Sequence, residues 1–377
     1  MLAASVAGVS VTHMLPFLVG SLMDGIGLDA RRAGLLASAE MGAMAVGALA
    51  VAPRVARLSR RALALGACAA LLVLHGASAA LDTLAPLFAL RVLAGLAEGC
   101  LYAVTAAAVA ASVAPTRVYA RVEAGGTLLW TGLFLIVPQV VALWQQRGAF
   151  GALFVVALCC APLLCWLPPH PPEETAAGAA DRKLWNSSAL AVVCTGTILY
   201  VSENALWAFT ERIGVSTGMS GRAVGVTLGA TNLVLVLGAL LVSHLHLRWG
   251  RSLPIGVGIA CFGASLLLIA SARGPMQYAV GHSALALAFA FQWVYLQGLA
   301  AAMDPAGRVA AMLAGAILVG GALGPAVGGQ LTEWGGYLAI GAFALAAAAL
   351  ALILVVPVAR RVERDEAERV VARASTR

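Results

Sequence analysis

Charged residues are scarce in this chain. Asp, Glu, Lys and Arg make up 11% of its 377 residues, whereas apolar residue types make up 61%. Soluble domains have about 25% charged and 45–50% apolar residues, so this composition excludes an ordinary soluble protein. The apolar residues form solid runs rather than the alternating pattern of a membrane β-barrel. We therefore predict an all-α polytopic membrane protein with the lipid bilayer around it.

Sequence signals of enzyme chemistry are also missing. No P-loop or HExxH motif occurs, and the seven cysteines lie in apolar runs without the spacing of a metal site. We expect no enzyme activity, no cofactor, no metal site and no disulfide. The net charge of +7 comes from short connections between apolar runs, so it does not indicate nucleic-acid binding. We also expect no cleavable signal peptide.

Twelve apolar segments are long enough to cross a bilayer as helices. A polar, Pro-rich stretch at 169–186 divides them six and six. The predicted organisation is an N-terminal six-helix half (1–168), a linker (169–186), a C-terminal six-helix half (187–358) and a charged tail (359–377). The segments lie at 2–23, 33–52, 62–81, 85–112, 124–144, 149–168, 187–210, 223–243, 253–271, 276–300, 307–329 and 336–358.

The distribution of basic residues predicts the orientation in the membrane. If the linker is cytoplasmic, 17 Lys and Arg residues lie in cytoplasmic connections and the tail, and 6 lie outside. Cytoplasmic connections of membrane proteins carry the excess of Lys and Arg. We therefore predict a multi-pass protein of the cell inner membrane with both termini in the cytoplasm. We expect it to be a monomer.

The two halves contain a weak internal repeat. At an offset of 191 residues, the loop residues Arg57 and Arg60 correspond to Arg248 and Arg251. Two parallel six-helix repeats with a binding site at their interface are a known plan of transporters. Arginines in these loops can pair with acidic groups or helix C-termini and hold one gate shut. We therefore predict a gating role for all four arginines.

Three short patterns resemble those of the major facilitator superfamily, and the similarity extends over essentially the whole chain. RVLAGLAEG, beginning at Arg91, is similar to the family's fourth-helix pattern, and RWGR at 248–251 to the end of its basic loop signature. GGALGPAVGG at 320–329 fits a pattern that marks span 5 of many exporters, and here it stands in span 11. The resemblance implies two six-helix bundles and a secondary active transporter that works by alternating access.

Two charged residues interrupt the fourth span. Arg91 and Glu98 each cost about 2.5–3.5 kcal/mol at mid-membrane on insertion scales. They are seven residues apart, so they share one helix face about 10 Å apart along the axis. This face is predicted to look into protein or a water-filled cavity. The alternative is that Arg91 and Glu98 form a fixed ion pair or bond backbone carbonyls.

The resemblance implies that spans 1, 4, 7 and 10 line a central cavity, and the polar residues of the chain concentrate there. Polar groups together with aromatic rings are typical of sites for small organic molecules. For His13 and His282, an interior side chain with its hydrogen bonds satisfied is an equal alternative. Trp130 in span 5 is expected to be a core residue. The predicted substrate ligands are His13, Arg91, Tyr200, Asn204, Trp207, His282, Gln292 and Trp293.

Three acidic residues within the spans are the predicted proton carriers: Glu40, Glu98 and Glu203. Loss of water favours the protonated form of a carboxyl group, so such groups can take up and release protons during transport. The acidic residues at the outer helix ends, among them Asp24 and Glu211, are expected to be merely solvated.

Gly324 and Pro325 in span 11 are predicted to take part in gating. Glycines four residues apart let helix backbones approach closely. Proline interrupts helix hydrogen bonding and gives a helix a place to bend. The alternative for this stretch is packing alone.

These features predict a proton-coupled secondary active transporter of a small organic molecule, whose partners are that substrate and protons. The span 11 pattern slightly favours efflux. Two alternatives stay open. One is a proton-coupled importer of an organic anion, with Arg91 as the clamp for the anion. The other is a transporter-like sensor or scaffold without turnover.

Overall fold

The computed structural model describes residues 1–55, 58–168, 187–245, 249–304 and 308–375. The described part consists of eleven helices without strands. The linker and the predicted gating residues Arg57 and Arg248 lie outside the described residues. The helices are α1 (Leu2–Gly25), α2 (Ala30–Val51), α3 (Arg60–Ala79), α4 (Leu84–Ala110), α5 (Pro115–Leu164), α6 (Ser187–Trp207), α7 (Thr210–Ser216), α8 (Gly221–Leu245), α9 (Ser252–Ala270), α10 (Pro275–Met303) and α11 (Arg308–Ser375).

Two of these helices bend back on themselves. α5 has a kink at Gln145, where φ is 48°, and α11 has a kink at Gly335 and Gly336, where φ of Gly336 is 66°. Glycine adopts positive φ without a steric penalty, which makes a sharp reversal possible at Gly336. Ten helices in the described part are long and apolar enough to span a membrane. Counting both arms of α5 and α11 gives twelve crossings, so the twelve-helix prediction is confirmed.

An even number of crossings puts both termini at the same side of the bundle, which we call the termini side; the opposite side is the far side. α1 runs from the termini side to the far side and ends at Gly25. The second arm of α11 runs back from Gly336 to the termini side. Positive charge predicts that the termini side is cytoplasmic.

The packing of the helices repeats along the chain. In the N group (α1–α5), α1 packs on the first arm of α5, α2 on α4, and α3 on the second arm of α5. In the C group (α6–α11), α6 packs on the first arm of α11, α8 on α10, and α9 on the second arm of α11. This correspondence confirms the predicted fold of two pseudo-symmetric six-helix bundles.

The two groups meet along close helix contacts in their far halves. A Cβ atom added at Gly34 of α2 would overlap the carbonyl oxygen of Pro325 in α11. The amide of Ala326 donates a hydrogen bond of 2.8 Å to the hydroxyl of Ser38. On the opposite flank, Gly225 of α8 lies equally close to the backbone of α5. We call these two helix contacts the far-side seal.

An ion-pair cluster adds to the seal at the far end. Arg212 of α7 donates hydrogen bonds of 2.6 and 2.8 Å to Asp24 of α1, and it also bonds Glu211. Burial alone would lower the pKa of Arg212, but its hydrogen bonds to Glu211 and Asp24 raise that pKa above its ordinary value, so it stays charged. The expectation that Asp24 and Glu211 are merely solvated is therefore wrong.

The charged tail continues the last helix on the termini side. Glu363 accepts hydrogen bonds from the backbone amides of Arg251 and Ser252 and from the Ser252 hydroxyl. Glu366 pairs with the Arg251 guanidinium at 3.2 Å. Arg251 thus ties the tail to the start of α9 within the C group in this conformation. Its counterpart Arg60 is buried at the start of α3.

The close approach of α2 and α11 predicts that substitution of glycine by alanine changes the free energy of unfolding differently at Gly34 and at Gly132. Gly34→Ala puts a methyl group against the Pro325 carbonyl, and we expect it to lower the free energy of unfolding by about 1–3 kcal/mol. The control is Gly132→Ala, because nothing lies within 4 Å of a Cβ there. Alanine favours the helix by up to about 1 kcal/mol, so the control is expected to be neutral or stabilising. Thermal unfolding in detergent measures both, and equal unfolding temperatures would contradict this packing.

Candidate functional site

Side chains from the two groups meet at mid-depth between the helices. The indole nitrogen of Trp207, in the C group, donates a hydrogen bond of 2.9 Å to the carbonyl oxygen of Thr12, in the N group. Trp207 also contacts Phe134 of α5, with ring centroids 6.2 Å apart. These contacts join α1, α5 and α6. We call the surrounding side chains the interfacial site: His13, Trp130, Tyr200, Glu203, Trp207, Phe289 and Trp293.

The N-group wall of this site is a stacked pair of rings. His13 of α1 lies flat on Trp130 of α5, with centroids 4.3 Å apart and an interplanar angle of 9°. The Nδ1 of His13 is 3.1 Å from the carbonyl oxygen of Val9, so this nitrogen donates to the backbone. Trp130 was expected to be core, and it is buried. It also supports the histidine that the sequence assigned to the cavity.

The C-group wall is an aromatic cluster on α6 and α10. Tyr200 meets Trp293 edge to face at 5.1 Å and Phe289 at 6.0 Å. The rings of Phe289 and Trp293 are nearly parallel, with centroids 6.4 Å apart. Phe289 was not predicted, although its place one turn before Trp293 on α10 would have indicated it. Tyr102 and Tyr119 of the N group also lie close enough to interact electrostatically with Tyr200.

Glu203 is the acidic residue between these walls. It lies one turn after Tyr200 and one turn before Trp207 on α6, so its carboxyl group falls between their contacts. Its Oε2 atom is buried and has no hydrogen-bond partner among the described residues. An unpartnered carboxyl group in a membrane interior is costly, and such a residue is retained where it takes part in function.

Arg91 lies elsewhere, inside the N group. Its exposed fraction is 0%, and its guanidinium donates to Glu40 at 2.9 Å and to Ser78 at 2.7 Å. It also contacts the Nδ1 of His75 at 3.2 Å. The guanidinium lies 4.7 Å from the ring centroid of Phe150, a favourable cation–π distance. Arg91 is therefore held by helices of its own half and does not reach the interfacial site.

Glu98 completes this buried group, which we call the Arg91 cluster (Glu40, His75, Ser78, Arg91 and Glu98). Glu98 has an exposed fraction of 0%, and neither of its oxygens has a hydrogen-bond partner in the described part of the chain. It interacts electrostatically with Glu40 and Arg91. The ion pair of Arg91 is thus made with Glu40 and not with Glu98. The backbone bond that the same alternative allowed is present, because the Arg91 guanidinium donates to the Leu74 carbonyl oxygen at 3.2 Å.

The other predicted ligands lie in helix contacts of the C group. Asn204 donates to the Tyr200 carbonyl oxygen at 3.0 Å and packs against Gly324. His282 lies against Tyr278 with centroids 4.5 Å apart, and Gln292 packs against Gly258. Of the predicted ligands, Tyr200 and Trp293 contact each other. Trp207 bonds the carbonyl oxygen of Thr12, the residue before His13. Glu203 lies between Tyr200 and Trp207 along α6.

Sequence analysis missed His75 and Ser78, which hold Arg91. Both are polar residues in the apolar third span, and this exception was the available signal. Their partner was not evident because it depends on how α3 packs against α4. A separate groove of about 860 Å³ also lies between α3 and α4. Its lining is almost wholly apolar, and none of the predicted site residues contributes to it.

Known proteins resemble this chain in sequence family and in fold. The family model described as the Major Facilitator Superfamily matches residues 1–306. No curated protein matches the chain in sequence.

Several solved structures share the fold at low identity, which indicates fold alone. The nucleoside transporter NupG has a TM-score of 0.72 at 14% identity, covering 95% of this chain and 97% of that one. A D-xylose-proton symporter has a TM-score of 0.69 at 14% identity, covering 94% and 97%. A bacterial homolog of the human lysosomal transporter Spinster, inward-facing and occupied, has a TM-score of 0.73 at 12% identity, covering 96% of each.

The Arg91 cluster predicts strong coupling between two buried charges. Arg91→Met leaves Glu40 without its cation, and removal of one partner of a buried pair costs about 3–5 kcal/mol of stability. The double variant Arg91→Met/Glu40→Gln is expected to lose clearly less than the sum of the two single losses. Thermal unfolding measures this cycle.

The control for the cycle is an exposed ion pair. Arg147 pairs with Asp82 at 3.0 Å, and both side chains are more than half exposed. Arg147→Met is expected to change the unfolding free energy by less than about 1 kcal/mol. Additive losses of unfolding free energy at Arg91 and Glu40, or an equal loss at Arg147, would show that the buried pair contributes no more to stability than the exposed pair.

Proposed function

This chain belongs to the Major Facilitator Superfamily, and from that membership we propose that it is a proton-coupled secondary active transporter of a small organic molecule. It is a multi-pass membrane transporter of small molecules and not an enzyme. The observation that carries the finer proposal is Glu203, a carboxyl group with an unpartnered oxygen, held among aromatic rings where the two groups of helices meet.

Alternating access follows from the position of the seal. The contacts that join α2 to α11 and α5 to α8 lie in the far half of the bundle. Tyr119 and Glu123, in the termini-side part of α5, are exposed. Their exposure supports a conformation that is open towards the termini side, which is the cytoplasm in the predicted orientation. Opening of the far-side seal and closure of the termini side would carry the substrate across.

Two groups of carboxyls supply the proposed proton coupling. Glu203 lies at the interfacial site, where proton and substrate meet. Glu40 lies on α2 only two residues after Ser38, whose hydroxyl accepts the amide of Ala326 across the seal. Protonation of Glu40 would remove the partner charge of Arg91 and change the contact of α2 with α4. α2 can then transmit this change to the far-side seal. Glu98 is the neighbouring carboxyl group that can accept the proton.

Two further observations support the proton as the coupling ion and efflux as the direction of transport. One structural relative is named as a D-xylose-proton symporter, which supports the proton as coupling ion for this fold. The GGALGPAVGG stretch favours efflux, and its glycines form two packing faces. Gly320, Gly324 and Gly328 approach α6, and Gly329 approaches α2. This double contact supports a gating role for Gly324 and Pro325.

The two alternatives make different demands on the site. Import of an organic anion would require Arg91 to reach the ligand, yet its two terminal guanidinium nitrogens are bound to Glu40, Ser78 and backbone within the N group. A sensor or scaffold would bind ligands without moving them. Proteoliposomes with an imposed pH gradient separate these functions. Candidate compounds that shift the unfolding temperature are tested for movement in both directions, and ligand binding without movement would support the sensor.

Neutral variants of the two unpartnered carboxyls test the proton assignment. Glu203→Gln and Glu98→Gln remove a titratable group while keeping the side-chain shape. We expect each to abolish the response of transport to a pH gradient, while exchange of labelled for unlabelled substrate continues. Asp365→Asn, in the exposed tail, is the control and should retain full coupling. Unchanged pH dependence in both Gln variants would refute the assignment.

The ion pair across the far end predicts a shift in conformation. Asp24→Asn weakens the link between α1 and Arg212, and we expect it to speed the labelling of Met41→Cys by a membrane-impermeant thiol reagent added from the far side. Met41 is buried beneath the seal and contacts Gly321. Asp82→Asn is the matched control, because its arginine partner lies in the same N group. Equal labelling rates in the two backgrounds would mean that the cross-group pair does not hold the seal.

A further inference from the structure

The charges at the interfacial site are unbalanced. Glu203 has no cationic partner among the described residues. The basic side chains that sequence analysis assigned to the cavity are engaged elsewhere: Arg91 with Glu40 inside the N group, and His282 against Tyr278 inside the C group. His13 is stacked on Trp130 and donates its Nδ1 hydrogen to the backbone. The site thus offers a carboxyl group without a fixed counter-ion.

Aromatic residues lie one turn to either side of Glu203 on α6. Tyr200 and Trp293 contact each other one turn from Glu203, and Trp207 lies one turn beyond it. The faces of aromatic rings attract cations, most strongly when water is excluded. Ring faces and a carboxyl group together are complementary to a positive charge on an apolar body. The same surroundings repel an anion, because it would bring a second negative charge beside Glu203.

We propose that the substrate of the interfacial site is an organic cation, such as a protonated or quaternary amine attached to an aromatic or apolar body. Glu203 contacts the positive charge, and Tyr200, Trp207 and Trp293 enclose the apolar part. The inference rests on the proposed transport function and adds the class of substrate. It also explains why the acid at this depth lacks the arginine partner that Glu40 has.

A charge series on one scaffold tests this inference. The probes are benzyltrimethylammonium (cation), benzyl methyl sulfone (neutral) and benzylsulfonate (anion), with binding to the full chain in lipid nanodiscs measured by equilibrium dialysis. We expect the cation to bind at least about tenfold more tightly than the other two. Glu203→Gln should remove this preference, and Glu203→Asp should retain most of it. Asp365→Asn, an exposed carboxylate in the tail, should bind like the parent chain.

Several outcomes would overturn the inference. They are equal or tighter binding of the neutral or anionic probe, a cation preference that persists in a folded Glu203→Gln variant, and absence of binding by all three probes. If Glu203→Gln fails to fold, loss of the preference in Tyr200→Leu with Trp293→Leu supplies the test, and its persistence there counts against the proposal.

Transport measurements separate this inference from the proposed function. Movement of a neutral or anionic solute driven by a pH gradient would leave the proposed function intact and refute the organic-cation assignment. Selective binding of benzyltrimethylammonium without movement of any cation would support the assignment and refute transport.

Discussion

A guanidinium that is shut away from water among apolar helices must find acceptors for its hydrogen bonds among its neighbours, and this requirement organises the N group. The Arg91 guanidinium contacts a carboxylate of α2, a hydroxyl and an imidazole of α3, and the face of an aromatic ring in the second arm of α5. These contacts come from three different helices around α4. Because a charge in a bilayer interior is tolerated only with such partners, the positions of these helices are mutually dependent. The N group is therefore held together as one packed unit.

The contacts between the two groups are of another kind. Backbone lies against backbone where glycines of α2, α8 and α11 face the opposite helix. Contacts of this kind can separate without leaving buried charges exposed, because the groups removed from contact are small and neutral. The ion pair of Arg212 and Asp24 lies at the far end, where water is available when the pair breaks. The N group is thus held by buried charged contacts, whereas the far-side seal between the two groups consists of contacts that can separate.

Much of this architecture could be predicted from the sequence, and the reasons for the remaining differences are physical. Solid apolar runs and punctuating loops define the crossings, and the offset between Arg60 and Arg251 pointed to the repeat that helix packing confirms. The partner of Arg91 could not be predicted, because spacing along α4 suggested Glu98 and tertiary packing supplied Glu40 instead. The ion pair at the far end was missed for the same reason. Asp24 and Arg212 are far apart in the chain, and charged helix ends are usually just solvated.

The two halves repeat in backbone and differ in chemistry, and this difference bears on how transport would be driven. Arg91 in the N group corresponds to His282 in the C group at the offset of the loop arginines. One position builds a network of charges within the N group, and the other holds an imidazole against Tyr278. The C group instead presents its carboxyl group, Glu203, to the interface. In the proposed mechanism, a proton that enters the N group acts on helix packing, whereas a proton on Glu203 acts directly on the ligand. The two effects converge on α2 and α6, which flank the first arm of α11, so this arm is the structural link between the protonation of Glu40 and the occupancy of the interfacial site.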